Sequence, residues 1–299
     1  MVKNKPYILL VTSRPDGWPS RRLRDSARKL RFSLKTINPS NVSLEIDSGE
    51  FRLRNMTRLF PMPNVVIPRL GPGNYETGLP LVRQFESAGI PVINSADSIA
   101  LARETFSTLQ ILAKNGINTP RTAYLLSMKD LKNIRKFIPG PPWIVKTFTG
   151  AMGIGTMRAD AVDQLEAISA TIWATRNPIL VQEFLETGSN AHSDTRAFVI
   201  NGKVVASMTR TAKKGEFRAN VHMGGASESK KLSMDEKSIA VKAALAVGLD
   251  VAGVDWIESN GKKYVLEVNA TPGFQGLEEA TGVDIGRKII SFASKLGKL

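Results

Sequence analysis

The sequence predicts an α/β fold with α+β subdomains, and three observations carry that prediction. Over the first hundred residues, short apolar runs alternate with longer amphipathic segments, the pattern of strands and helices layered around a sheet. The chain's 299 residues suffice for two or three subdomains with substantial cores. Near the C-terminus, VAGVDWIES and KKYVLEVNA both alternate as strands do, with a turn at Gly261-Lys262-Lys263 between them, so they read as an antiparallel hairpin.

The elements follow in order. A buried strand is expected over 7–12, a basic helix over 20–30, a strand over 65–68, a helix over 79–88 and a strand over 91–94. Arg69 falls just past the C-terminal end of its strand in VIPRLG, the edge at which open α/β sheets bind ligands. It is a candidate substrate contact or else a surface arginine in a turn. One helix is expected over 99–114, ended by Asn115-Gly116. Strands follow over 122–126 and 143–146. From Lys146 the chain enters Thr147-Phe148-Thr149-Gly150-Ala151-Met152-Gly153-Ile154-Gly155, where glycines permit close backbone approach and expose N–H groups to phosphate oxygens. The order of a P-loop, GxxxxGK[ST], is missing. Strands are expected over 178–184, 196–200 and 203–209, the last two joined at Asn201-Gly202. A helix over 234–249 precedes the C-terminal hairpin, and another helix begins at Val283.

Composition narrows the function. No apolar run approaches the roughly 20 residues that cross a bilayer, and YILLVTSR reads as a first strand rather than a signal peptide. The absence of cysteine excludes thiolate catalysis, Cys-ligated zinc and disulfides, and fits a cytoplasmic protein. His192 and His222 are the only histidines, too few for a His-rich metal site. The net charge of +14, from 41 Lys and Arg against 27 Asp and Glu, attracts polyanions such as nucleotides, acidic peptides or nucleic acid. The clusters Arg21-Arg22-Leu23-Arg24 and Arg28-Lys29-Leu30-Arg31 recur at helical spacing and read as a solvated helix face. No aromatic-interleaved basic motif accompanies them, which argues against a single-strand nucleic-acid binder.

The hairpin carries the chemistry. Asp255 is followed twelve residues later by Glu267, with Asn269 two residues beyond on the same face. All three offer hard oxygen donors of the kind Mg²⁺ takes when nucleotide phosphates also hold it. Carboxylates inside runs as apolar as VAGVD and YVLEVN are costly unless paired or metal-bound. The pattern points to an enzyme that uses ATP and Mg²⁺.

Taken together, VIPRLG, LVRQFESAG, ILAKNGINTP, WIVKTFTGAMGIGT, VQEFLE, SDTRAFV, GEFRANVHMGG, GLDVAGVDW and LEVNATPGFQGLEEATGVDI resemble the RimK-like ATP-grasp amino-acid ligases, the alpha-L-glutamate ligase family. The resemblance runs almost end to end. It implies an ATP-grasp fold: an N-terminal pre-ATP-grasp α/β domain over 1–97, a central subdomain with the glycine-rich loop over 98–183, and a C-terminal subdomain with the metal site over 184–299. It implies ligation of a carboxylate to an amine through an acyl phosphate, with release of ADP and phosphate. Lys146 matches the lysine that reaches the nucleotide phosphates. Glu183, Phe184 and Leu185 match the inter-domain strand that meets the adenine, and Asp194 a further nucleotide contact. Arg218 and Asn220 match a pair near the phosphates and metals. Arg210 matches an arginine suited to hold the acyl phosphate, so Arg210 and Arg218 form the catalytic set. Asp255, Glu267 and Asn269 match the ligands of two Mg²⁺ or Mn²⁺ ions, with Glu267 bridging.

Four departures from the family pattern stand out. Arg103-Glu104-Thr105 replaces an Arg-Asp-Lys run, the loop before Asp194 is long, Thr211 replaces the second arginine of a pair, and Met223 replaces a polar or basic residue. The resemblance implies an amino acid, acidic by preference, a peptide or small-molecule carboxylate acceptor, and a dimer or tetramer. Two alternatives stay open: a peptide-modifying macrocyclase, and a basic RNA- or ribosome-binding protein that keeps the fold without turnover.

Overall fold

The structure, a computed structural model, describes residues 6–55, 58–138, 140–147, 155–187, 191–213, 215–218 and 225–299. The first part contains β1 (Ile8–Val11), α1 (Trp18–Lys29), β2 (Leu34–Ile37), β3 (Val42–Asp47), β4 (Glu50–Asn55), β5 (Arg58–Leu59), β6 (Val65–Pro68), α2 (Tyr75–Ser87), α3 (Ala96–Arg103) and α4 (Thr105–Lys114). Strands β2-β1-β6 form a parallel sheet. Every residue of β1 and β6 is buried, which is why ILLV and VVIP read as unbroken apolar runs rather than alternating ones. Strands β3, β4 and β5 make a separate antiparallel sheet that the sequence reading did not anticipate. Its turn is Ser48-Gly49, both at positive φ, as a two-residue hairpin requires.

Three expectations in this part need correction. The segment 91–94 makes a single bridge, Val66 to Val92, rather than a strand. The single helix over 99–114 is two helices, because Glu104 takes an extended backbone, ψ 100°. The Thr108 hydroxyl donates to the Leu101 carbonyl (2.9 Å) across that break. The basic face of α1 is not wholly solvated: Arg22 reaches Glu278 and Asp284, both at 2.6 Å, tying α1 to the C-terminal part.

The middle part holds β7 (Thr122–Leu125), α5 (Leu131–Phe137), β8 (Trp143–Thr147), β9 (Thr156–Ala159), α6 (Val162–Ala174) and β10 (Ile179–Glu183). Its antiparallel sheet runs β7-β10-β8-β9 and packs α5 and α6 on one face. The last part holds β11 (Ser193–Ile200), β12 (Lys203–Thr211), β13 (Ala226–Ser229), α7 (Met234–Ala246), β14 (Val251–Ser259), β15 (Lys262–Asn269), α8 (Gln275–Thr281) and α9 (Ile285–Leu296). Its antiparallel sheet runs β13-β12-β11-β14-β15. The β14–β15 turn is Asn260-Gly261, at φ 50° and 71°, so Lys262 and Lys263 already belong to the strand rather than to the turn. Helix α9 begins at Ile285, where the Asp284 side chain accepts from the Arg287 N–H (2.7 Å).

This last sheet is buried on both faces. Ala197, Val199, Ala252, Val254 and Trp256 pack towards α7, while Phe198, Ile200, Met208 and Val251 pack towards α9, α1 and the parallel sheet. Because side chains alternate, Asp194 and Arg196 continue the second face beyond Phe198, and Asp255 continues it beyond Val251. The charged site begins where that apolar face ends.

Candidate active site

Strand register lines up the charges. Asp194 lies directly opposite Arg210, Arg196 opposite Asp255, and Asp255 opposite Glu267. Arg210 grips Asp194 with two hydrogen bonds of 2.6 Å and reaches Asp255 at 3.0 Å. Arg196 holds Asp255 from the other side at 2.7 and 2.5 Å. The Arg210 and Asp255 side chains are each only 4% exposed, so these are buried, low-dielectric pairs. Arg196 was quoted in SDTRAFV without a role. Its signal was its spacing, two residues from Asp194 and so on the same strand face.

The two guanidinium groups settle how the acids share protons. Burial works to raise Asp255, but Arg196 and Arg210 outweigh it and hold the carboxyl down at about 2. Burial also works to lower Arg210, yet Asp255 and Asp194 keep its cation firmly charged. Glu267 moves the other way. Its carboxylate is pushed up first by burial and then by the Asp255 charge across the strand, against the pull of Arg196, Lys146 and Arg210. Glu267 nevertheless meets solvent, so it stands at the surface end of the charged ladder rather than in the core. Two like charges directly opposite each other on neighbouring strands destabilise a sheet unless something cationic joins them.

Lys146, partly buried on β8, supplies one such charge across the gap between the two sheets. Burial lowers its ammonium and the Glu267 carboxylate raises it, so the two groups face a common space. The glycine-rich stretch that follows falls outside the described residues over 148–154, but its ends meet: the Thr147 N–H donates to the Gly155 carbonyl (2.9 Å). Gly155 has φ +83°, and an added Cβ would fall 2.1 Å from the Thr147 hydroxyl. Only glycine closes this base.

Asn269 ends β15 opposite Gly253, two residues along from the Asp255–Glu267 pair, and a one-residue register shift between Asp255 and Trp256 is what sets Glu267 rather than Leu266 opposite Asp255. Its Nδ2 is buried without a hydrogen-bond partner among the described residues. The donors fit a hard divalent cation. A carboxylate has four lone-pair sites; Asp255 Oδ1 takes one guanidinium N–H and Oδ2 takes two, which leaves Oδ1 capacity for a metal. Among the described residues no three His, Cys, Asp or Glu side chains are grouped as a metal site.

The other predicted residues lie at the rim. Glu183 ends β10, where its Oε1 accepts from the Arg121 N–H (2.8 Å). Phe184 stacks on His192 with centroids 5.2 Å apart, and the Arg158 guanidinium lies 4.6 Å from its ring centroid. Leu185 is half-buried beside it. Arg218 holds Glu216 at 2.9 and 3.0 Å, and that hydrogen-bonded pairing draws the Glu216 carboxyl down to about 2. Asn220, His222 and Met223 lie outside the described residues. Thr105 is the first residue of α4, and Arg103 places its guanidinium 4.3 Å from the Tyr75 ring centroid, turned towards the N-terminal part.

Two contacts fasten the N-terminal part to the β14–β15 hairpin and the turn after it. The Asn94 amide donates to the Val251 and Ala270 carbonyls (2.8 and 2.9 Å) and accepts from the Val251 N–H (2.8 Å). Arg69 donates to the Pro272 carbonyl (3.1 Å). Neither tie was foreseen.

A lysine on one antiparallel sheet facing acids on a second, with a glycine-rich connection between strands, defines an ATP-grasp protein. Residues 7–99 match the RimK PreATP-grasp domain, and residues 102–293 match the RimK-like ATP-grasp domain. A probable alpha-L-glutamate ligase of Methanococcoides burtonii is 38% identical over 292 residues, covering 98% of this chain and 96% of that protein. Another from Shewanella pealeana is 39% identical over 293 residues and 97% of this chain, which spans 63% of that relative's length. The ATP-grasp ligase PsnB, solved with a phosphomimetic precursor variant, Mg and ADP, superposes with a TM-score of 0.76 at 21% identity, covering 98% of this chain and 99% of that one. The chain belongs to the RimK-like ATP-grasp family.

Proposed function

We propose that the protein is an ATP-dependent ligase that joins an amino acid, glutamate by preference, to a carboxylate on a peptide or small molecule. The observation that carries this reading is the direct opposition of Asp255 and Glu267 with Lys146 facing them. An arrangement that gathers two acids and a lysine between the two sheets suits a polyphosphate with its metal. The names of the curated relatives support glutamate as the amino acid. The proposal includes the three-part division at 97 and 183, a cytoplasmic location and assembly as a dimer or tetramer. Among the described residues no helix is long and apolar enough to cross a membrane.

In this mechanism Asp255, Glu267 and Asn269 would hold Mg²⁺ or Mn²⁺. Such an ion neutralises phosphate charge when bound. Lys146 holds the phosphates from the sheet that contains β8, and Glu183, Phe184, Leu185 and Asp194 fix the rest of the nucleotide. Arg196 and Arg210 keep Asp255 ionised and oriented, so it meets its ligand without a proton to shed. The acceptor carboxylate attacks the terminal phosphorus; the bond to the bridging oxygen breaks and ADP departs. The neutral amine of the amino acid then attacks the acyl carbon, the C–O bond to phosphate breaks, and the amine's proton leaves with orthophosphate. Arg218 and Asn220 complete the phosphate contacts in this reading.

An amino-acid panel incubated with ATP, Mg²⁺ and carboxylate acceptors, read by mass spectrometry, tests it. The expected product has the mass of amino acid plus acceptor less one water, most abundant with glutamate. Water loss from a peptide without added amino acid would favour a macrocyclase. Nucleic-acid binding without any product would favour the non-enzymatic alternative.

A further inference from the structure

Arg69, half-buried, stands apart from the arginines of the charged ladder and of α1. Arg22, Arg196 and Arg210 each grip carboxylates, whereas Arg69 has no acid partner among the described residues. It sits immediately after β6, at the C-terminal edge of the parallel sheet, where α/β sheets take their ligands. Its guanidinium is oriented. One terminal N–H donates to the Pro272 carbonyl, and the Phe274 ring centroid lies 5.5 Å from the guanidinium carbon. A guanidinium carries five N–H donors, so one backbone acceptor leaves a fork unfilled.

Two contact routes lead from Arg69 to the charged ladder. Pro272 packs against Gly253, where an added Cβ would lie 2.8 Å from the proline Cβ, and Gly253 pairs with Asn269. Phe274 meets Phe198 edge-on at 6.2 Å, and Phe198 lies two residues along β11 from Arg196 on the same face. Beside it, Asn74 closes the turn after Arg69 by accepting from the Gly71 N–H (2.7 Å), while its own Nδ2 is buried with no partner among the described residues. Burial pushes the Arg69 guanidinium down to about 10, the signature of a cation that has lost water and gained no counter-charge.

We infer that Arg69 is a specificity residue that forks the carboxylate of a substrate at the junction of the parallel sheet and the metal hairpin. This rests on the ligase reading above and adds to it where the substrate's charge is read. The carboxylate comes from one of two sources: the amino acid that supplies the amine, or the acceptor. Binding separates them. The full chain, saturated with a non-hydrolysable ATP analogue and Mg²⁺, is titrated with L-glutamate and, separately, with a short peptide ending in glutamate. Charge-assisted hydrogen bonds of this kind correspond to a loss of about tenfold to a hundredfold. Arg69→Met is expected to weaken one of the two ligands by that factor and to leave the ATP analogue within about twofold; the ligand affected names the source. Arg69→Lys keeps the charge but not the fork, is expected to fall between, and serves alone if Arg69→Met does not fold. Equal affinity of both ligands for wild type and variants overturns the inference, as does absence of binding to wild type. Failure of the ligase reading shows differently, as no amide product from wild type whatever residue 69 is.

Discussion

Replacing Arg210 with methionine tests whether the charge ladder is a balanced structural unit. The substitution removes both hydrogen bonds to Asp194 and one to Asp255, from a side chain only 4% exposed. Asp255 keeps Arg196, but Asp194 loses the guanidinium that grips it. Breaking a buried pair by removing one partner costs about 3–5 kcal/mol, a large share of the roughly 5–15 kcal/mol that holds a protein folded. Removing the stranded acid as well, in Arg210→Met with Asp194→Leu, is expected to recover about 1–3 kcal/mol, because a well-packed apolar pair replaces an ion pair at little cost. The penalty also depends on pH. Burial already raises the Asp194 carboxyl to about 6 against the pull of Arg210; without Arg210 it rises further, so the folded variant takes up its proton at higher pH and the penalty shrinks from pH 7 towards pH 5. Urea unfolding of the nucleotide-free protein at both pH values measures all of this. A loss under about 1 kcal/mol at pH 7, or a double variant no more stable than the single one, would refute the reasoning.

Glu267→Gln should leave the nucleotide-free protein as stable as wild type or slightly more so, since it removes a like charge opposite Asp255, while turnover falls at least about a hundredfold; thermal melts and ADP release check the two halves. Gly253→Ala places a Cβ 2.8 Å from Pro272 and should cost about 1–3 kcal/mol, read as a lower unfolding midpoint. Thr105→Lys restores a cation at the start of α4, and should lower the Kd of a non-hydrolysable ATP analogue several-fold with less effect on the amino-acid KM. Calorimetry showing unchanged or weaker binding would mean that the nucleotide pocket is built around threonine.

Much of the β14–β15 hairpin was legible because its information is local. The two strands and the tight turn between them bring Asp255 near Glu267 within one short stretch of chain, although the register of the Asn260-Gly261 turn alone would set Asp255 opposite Leu266. The one-residue shift that sets Glu267 opposite Asp255 and Asn269 opposite Gly253 was not legible, since bulges leave no periodic mark in a run that is apolar on both faces. Arg196 escaped assignment for a topological reason: its partner is 59 residues away on a strand that is not its neighbour in sequence. The break at Glu104 was hidden because residues on both sides of it favour helix, and only the Thr108 hydroxyl reports it. The β3–β4 hairpin carries charged residues on its outer face and few buried ones, so its alternation was faint. Asn94 and Arg69 act through backbone carbonyls far away in sequence, which no spacing rule reveals.

The central claim is that a carboxylate, not a nucleotide phosphoanhydride alone, is the site of phosphoryl transfer. Isotope transfer tests it directly. L-Glutamate and a peptide ending in glutamate, both with ¹⁸O in every carboxylate oxygen, are turned over by the wild-type protein with ATP and Mg²⁺, and the phosphorus products are separated. The account predicts ADP, and orthophosphate carrying one ¹⁸O for each amide bond formed. Label in AMP with release of pyrophosphate, or amide formation with unlabelled orthophosphate, would contradict it.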